Sequence, residues 1–129
     1  MADSPFKNSK SVKPGEFFGY LFCTRDALHL THLAQPDKTL ATHLALNDAY
    51  DGILDFIDDL VEKYQGIYGI VPIIIPETKA STNPLDLVME KYKWIQEYRG
   101  IFTESWIQNI IDQIADLLAK TLYKLRFVC

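Results

Sequence analysis

The amino-acid sequence predicts an all-α domain, a bundle of four helices with a long extended crossover between the second and the third. Three observations support this prediction. Apolar residues recur at spacings of three and four in four separate segments. The stretch between the second and third segments is apolar yet contains prolines and glycines, so it is neither a helix nor a solvated linker. The length of 129 residues suits one hydrophobic core.

The first helical pattern follows a polar N-terminal segment. Residues 1–14 are expected to form a flexible tail, and residues 15–129 the helical domain. From about Glu16, apolar residues recur at helical spacings until Pro36 ends the pattern.

The second helix has the clearest pattern. Apolar residues alternate at spacings of four and three from Leu46 to Tyr64, which predicts one apolar stripe. Thr39 or Thr42 is expected to cap its start, and Gly66 to end it.

The crossover segment, residues 66–81, is expected to be extended and packed. Fully stretched at roughly 3.3 Å per residue, it covers about 50 Å, which exceeds the length of a 25-residue helix. The second and third helices therefore need not be antiparallel neighbours joined by a tight turn. The alternative is a β-strand within an α+β fold.

The last two helices complete the bundle. The third is predicted to begin at Asn83, with Pro84 in its first turn, and to end at Gly100. The fourth begins near Thr103 and is apolar on more than one face. It is therefore expected to be the most buried helix, or one that also forms a subunit interface.

Composition excludes several classes of function. A net charge of −4 disfavours broad nucleic-acid binding, except through the basic tail that carries Lys7, Lys10 and Lys13. No apolar run is long enough to cross a bilayer, and the N-terminus lacks a signal-type stretch, so a cytoplasmic protein without membrane contact is expected. Cys23 is expected to be buried and Cys129 free.

Histidines and carboxylates are the one group of residues in the sequence that could bind a metal ion. His29 and His32 lie at the end of the first helix and His43 at the start of the second, whose flank carries Asp58 and Glu62. Imidazole and carboxylate together suit Fe²⁺, Mn²⁺ or Zn²⁺. The alternative is a solvated acidic face beside capping histidines. No phosphate-binding loop or nucleophile motif occurs, and no catalytic residue is assigned.

The run HLALNDAYDGILDFIDDLVEKYQG, residues 43–66, resembles the second helix of the mini-ferritins, the Dps-like branch of the ferritin-like superfamily. This resemblance implies a ferritin-like four-helix bundle that forms a homo-oligomer. It also implies a site for iron or another divalent metal between subunits. The implied ligands are His32, His43, Asp58 and Glu62, while the family's further acid falls on Asn47.

A second resemblance concerns the source. The run YDGILDFIDDLVEKYQGIYG and the later ESWIQNIIDQI and TLYKLRF are similar to small uncharacterised proteins of tailed bacteriophages, which implies a phage protein in the host cytoplasm. The alternative function is a non-enzymatic counter-defence protein that binds a host protein or sequesters a nucleotide signalling molecule. Its ligand site would comprise Arg25, Tyr64, Tyr68 and Arg99. A third alternative is a component of the virion.

Overall fold

The computed structural model describes residues 4–6, 11–35 and 39–129. Within these ranges every regular element is helical and no strand occurs, which confirms the predicted all-α class. The elements are α1 (Pro14–Leu33), α2 (Leu40–Tyr68), α3 (Pro84–Tyr98), a 3-10 turn (Arg99–Ile101) and α4 (Ser105–Phe127).

Side-chain caps fix the starts of α2 and α3. The Thr39 hydroxyl accepts a hydrogen bond from the main-chain N–H of Thr42 at 3.2 Å. Asn83 accepts one from the N–H of Asp86 at 3.1 Å, and Pro84 is the first residue of α3. Both caps satisfy N–H groups that have no partner within the first turn of a helix. The predicted starts of these two helices are confirmed.

The end of α2 differs from the prediction. Gly66 lies within the helix, which continues to Tyr68. Gly69 then turns the chain with a φ of 89°, a conformation that L side chains rarely adopt. The sequence contains both glycines, and only the positive φ identifies which of them ends the helix.

Neighbouring helices are antiparallel. At the beginning of α1, Phe18 lies 5.3 Å from the ring of Tyr64 near the end of α2. Close by, Tyr20 stacks at 3.7 Å on Trp94, which is near the end of α3. The contacts of α4 with α2 and α3 close the bundle, so that α1 and α4 each pack between α2 and α3.

The connection from α2 to α3, residues 69–83 and here called the strap, runs along α1 from its beginning to its end. The N–H of Ile74 donates to the carbonyl of Gly15 at 3.2 Å. Near the other end, the N–H of Ser81 donates to the hydroxyl of Thr31 at 2.9 Å. The strap thus follows α1 over most of its length.

Small side chains on α1 make room for the strap. A Cβ atom added at Gly15 would lie 1.9 Å from the carbonyl oxygen of Pro72, and one at Gly19 would lie 1.7 Å from that of Ile74. Gly15 and Gly19 are four residues apart on the helix, a rise of about 6 Å, and Pro72 and Ile74 are two residues apart on the extended strap, a rise of about 6.6 Å. The two spacings match, so both contacts form together. The buried small residues that recur every four positions are Gly15, Gly19, Cys23, Ala27 and Thr31.

The helix with the largest buried fraction is α1, not α4 as predicted. We expected α4 to be the most buried helix, or one that also forms a subunit interface. The first alternative is wrong, because 12 of the 20 residues of α1 are buried, against eight of 23 in α4. The reason is that α2, α3 and the strap all cover α1. In contrast, α4 keeps an exposed face. The second alternative stays a prediction.

Part of the N-terminal segment packs on the bundle. Phe6 and Val12 are buried in the core, and the Phe6 ring lies 6.2 Å from that of Trp94. Lys7 and Lys10, which make the predicted tail basic, lie outside the described residues. Their proposed contact with nucleic acid stays a prediction.

Candidate functional site

The three histidines and Tyr50 form one cluster where α1 and α2 meet. The imidazole of His32 lies 3.8 Å from that of His43 at an angle of 30°, and His29 stacks on Tyr50 at 4.0 Å. The short connection between the two helices brings these side chains together. The Tyr50 hydroxyl donates to the side-chain oxygen of Asn47 at 3.0 Å, so Asn47 supports the aromatic ring.

One hydrogen bond fixes the tautomer of His32. Its Nδ1 lies 3.0 Å from the main-chain carbonyl oxygen of His43. A carbonyl can only accept, so Nδ1 carries a proton, and in the neutral imidazole Nε2 keeps its lone pair. This arrangement is typical of metal-binding histidines, whose second nitrogen is oriented by a carbonyl or a carboxylate. His32 is buried and His43 is exposed, so a ligand would approach from the side of His43.

The carboxylates of the predicted metal site lie elsewhere in the same chain. Asp58 and Glu62 are exposed one turn apart on α2. Fifteen residues separate His43 from Asp58, which is about 22 Å along the helix axis. Over the part of the chain that the structure describes, no three His, Cys, Asp or Glu side chains are placed to hold a metal ion. The four predicted ligands therefore do not meet within one chain.

Arg25 lies next to the histidine cluster. Its guanidinium is 5.8 Å from the centre of the Tyr50 ring and forms an ion pair with Asp26 at 3.1 Å. The buried Nε of Arg25 has no hydrogen-bond partner among the described residues. Tyr64 is 14 residues beyond Tyr50, about 21 Å along α2, so Arg25 does not converge with the other residues of the predicted ligand site.

The other three residues of that predicted site lie at the opposite end of the bundle. The rings of Tyr64 and Tyr68 are 4.8 Å apart. Arg99 is fully engaged, because its guanidinium donates to Gln108 at 2.7 Å and pairs with Asp112. This hydrogen bonding holds the turn between α3 and α4 and occupies the group that a nucleotide phosphate would need.

A hydrogen bond ties the end of α2 to the start of α4. The Tyr68 hydroxyl donates to the carboxylate of Glu104. This bond is the main reason that the pKa of Tyr68 is raised and that of Glu104 is lowered. Both groups are exposed in solvent, so we treat the contact as a local link rather than a binding site.

A groove that was not predicted from the sequence lies between the strap, α1 and α3. Its volume is about 680 Å³, within the usual range for small-molecule sites. Lys91 is only 8% exposed, and its ammonium nitrogen lies 4.6 Å from the centre of the Tyr20 ring. No carboxylate in the described residues pairs with this ammonium. Cys23, buried and free as predicted, donates its S–H to the Glu77 carbonyl at 3.7 Å.

One signal in the sequence points to Lys91. It occupies a position of the apolar stripe of α3, between Leu87 or Val88 and Trp94 or Ile95. A lysine at such a position keeps its carbon chain buried and its ammonium near an opening. The strap creates that opening, so the groove could not be located without the path of the strap.

Burial of Tyr20 predicts sensitivity to alkaline pH. Burial, and then the charge of Glu90, raises the pKa of the Tyr20 hydroxyl well above its usual value. The unfolded chain therefore loses this proton first, and folding stability declines as pH rises above about 10, by at most about 1.4 kcal/mol per pH unit. Tyr20→Phe should show a smaller decline in the urea midpoint between pH 9 and 11.5.

The control for this measurement is Tyr123→Phe, since Tyr123 is exposed. Its urea midpoint should decline with pH as that of the wild type does. Equal pH profiles for Tyr20→Phe and the wild type would contradict the prediction.

Comparison with known proteins identifies a family. The model of a family described as "Family of unknown function (DUF5856)" matches residues 35–125. The chain belongs to this family. No curated protein and no solved structure matches the chain.

The DUF5856 match covers α2, the strap, α3 and α4, and it begins just after the end of α1. It includes His43, Asp58 and Glu62, whereas His29 and His32 precede it. No helix in the described ranges of this DUF5856 chain combines the length and the apolarity needed to span a membrane.

Proposed function

We propose that this protein is a phage-encoded, ferritin-like homo-oligomer that binds a divalent metal ion, iron in particular, between subunits. His32 and His43 of one copy would face Asp58 and Glu62 of another. The observation that supports this proposal most directly is the hydrogen bond from His32 Nδ1 to the His43 carbonyl, which leaves Nε2 available as a metal ligand.

The arrangement of the helices supports the ferritin-like part of the proposal. Two antiparallel pairs, α1 with α2 and α3 with α4, are joined by one long connection that follows α1. Ferritin-like bundles have one such crossover. This topology is a property of the backbone and does not depend on the metal.

The residues fit a divalent ion of intermediate hardness. Two neutral imidazoles and two carboxylates are the donor set that Fe²⁺, Mn²⁺ and Zn²⁺ accept. The 22 Å between His43 and Asp58 requires that the acids come from a second copy. In a twofold contact each copy contributes both halves, so two identical sites result. A bound ion would supply a Lewis acid, or a redox centre if it is iron.

Calorimetric titration with Fe²⁺ under anaerobic conditions, or with Zn²⁺, tests the proposal. We expect heat of binding for the wild type and its loss in His43→Ala and Asp58→Ala. Asp55→Ala is the matched control, because Asp55 is an exposed acid one turn earlier on the same helix. Equal heats for the wild type and His43→Ala would refute the site.

A mixing experiment tests whether two copies share the site. His43→Ala and Asp58→Ala each lack one half, so neither should bind metal alone. When the two variants are unfolded and refolded together, a mixed dimer keeps one intact site out of two. Recovery of binding is therefore expected in the mixture. Failure to recover, with mixed dimers present, would contradict a shared site.

A further inference from the structure

The end of α2 and the first part of the strap carry the longest run of exposed apolar residues in the described chain. Residues 67–76 include no charged side chain. Six side chains in this run are between 37% and 86% exposed. Monomeric proteins rarely leave such a patch uncovered. These six residues are Ile67, Tyr68, Ile70, Ile73, Ile74 and Ile75.

The main chain of the strap has one bonded side and one free side. The N–H of Ile74 donates to Gly15 and its carbonyl lies over Gly19, so both groups face α1. In an extended chain, successive residues direct their main-chain groups to opposite sides. Ile73 and Ile75 therefore direct theirs away from α1. No hydrogen bond joins these groups to any residue within the described ranges.

The sequence of this segment reads the same in both directions. Pro72-Ile73-Ile74-Ile75-Pro76 is a palindrome centred on Ile74. In an antiparallel pair of two such segments, Ile73 lies opposite Ile75 of the other copy, and the two exchange N–H and carbonyl hydrogen bonds. The main-chain groups of Pro72 and Pro76 lie on the side that faces α1. The missing N–H groups of the prolines therefore remove no donor from the outer edge of the strap.

We propose that the strap pairs with the strap of a second copy of this chain, antiparallel and around a twofold axis at Ile74. Two straps exchange four main-chain hydrogen bonds and cover each other's isoleucines. The chain has a net charge of −4, and residues 67–76 carry no charge, so no like-charge repulsion opposes contact between two copies at this face. The palindrome favours a second copy over a foreign strand, because a twofold contact needs a self-complementary surface.

This contact differs from the one in the proposed metal site. Its axis lies near Gly19, at the level where Phe18 meets Tyr64. A shared metal site needs an axis about midway between His43 and Asp58. The inference shares only the homo-oligomeric state with the proposed function. Two separate twofold contacts on one chain would join dimers into a larger assembly.

Disulfide cross-linking tests the pairing. Opposite residues that do not exchange hydrogen bonds have Cα atoms about 4.5 Å apart, which suits a disulfide. Ile74→Cys, in a Cys129→Ser background because Cys129 is an exposed free thiol, should form a covalent dimer on mild oxidation. Ile70→Cys is the control. Ile70 is more exposed, at 86%, but the two copies of it would be about 26 Å apart along the strands.

The outcomes separate this contact from random collision and from the metal site. A dimer with Ile74→Cys and little with Ile70→Cys supports the pairing, whereas equal cross-linking or none overturns it. Light scattering of the wild type in EDTA provides a second measurement. A dimer that persists without metal supports the strap contact even if calorimetry refutes the metal site. A monomer in EDTA overturns the strap contact.

Discussion

Gly19→Ala should destabilise the protein by about 2 kcal/mol or more, because the new methyl group would occupy the place of the strap. The added Cβ would lie 1.7 Å from the carbonyl oxygen of Ile74 and 2.4 Å from its carbonyl carbon. These are backbone atoms, so no side-chain rotation relieves the clash. Alanine also favours the helix by up to about 1 kcal/mol, which offsets only part of the cost.

Gly66→Ala is the matched control for this substitution. Gly66 also lies inside a helix, but an added Cβ would meet nothing within 4 Å. The same change should therefore stabilise the protein, by up to about 1 kcal/mol. Urea unfolding of the two variants should show opposite shifts of the midpoint. A stabilised Gly19→Ala would mean that the strap does not lie against α1.

Trp94→Ala should cost about 3–5 kcal/mol, the usual range for a large aromatic residue removed from a core. Trp94 is fully buried and stacks on Tyr20 at 3.7 Å, with Phe17 at 5.5 Å and Tyr98 at 4.8 Å. Its loss would open a cavity at the centre of this aromatic cluster. At neutral pH the midpoint of urea unfolding should fall strongly, or the protein should fail to fold.

Two variants make this prediction specific. Trp106→Ala removes the same side chain from a site that is 36% exposed on α4, and it should cost about 1 kcal/mol or less. Trp94→Phe keeps a ring and removes the indole N–H, which is buried and has no hydrogen-bond partner in the part of the chain that the structure describes. It should therefore cost much less than Trp94→Ala. Similar losses for Trp94→Ala and Trp106→Ala would contradict the central role of Trp94.

Local signals in the sequence predicted most of the helical structure. The caps Thr39 and Asn83, with Pro84 after Asn83, act through groups within three or four residues, so their effect is visible in the chain itself. The glycine that ends α2 was missed by three residues. Gly66 and Gly69 are the same residue type, and the φ that distinguishes them depends on where the strap must go.

The candidate site was predicted only in part. The contact between His32 and His43 follows from a short connection between two antiparallel helices, which a sequence can indicate. The groove beside Lys91 was missed, since its walls come from the strap, α1 and α3, which are distant in the chain. The small residues that recur every four positions along α1 are the one local feature that indicates a closely packed backbone there.

The sequence by itself determined the helical class, the starts of the second and third helices and the apolar faces that form the core, because these depend on periodicity and on short-range capping. Only the tertiary structure decided that α1 is the most buried helix, that Lys91 borders a groove and that the four isoleucines of the strap remain at the surface. Those features depend on the side of the bundle that the strap follows. The strap follows α1 because Gly15 and Gly19 have no side chain to keep it away.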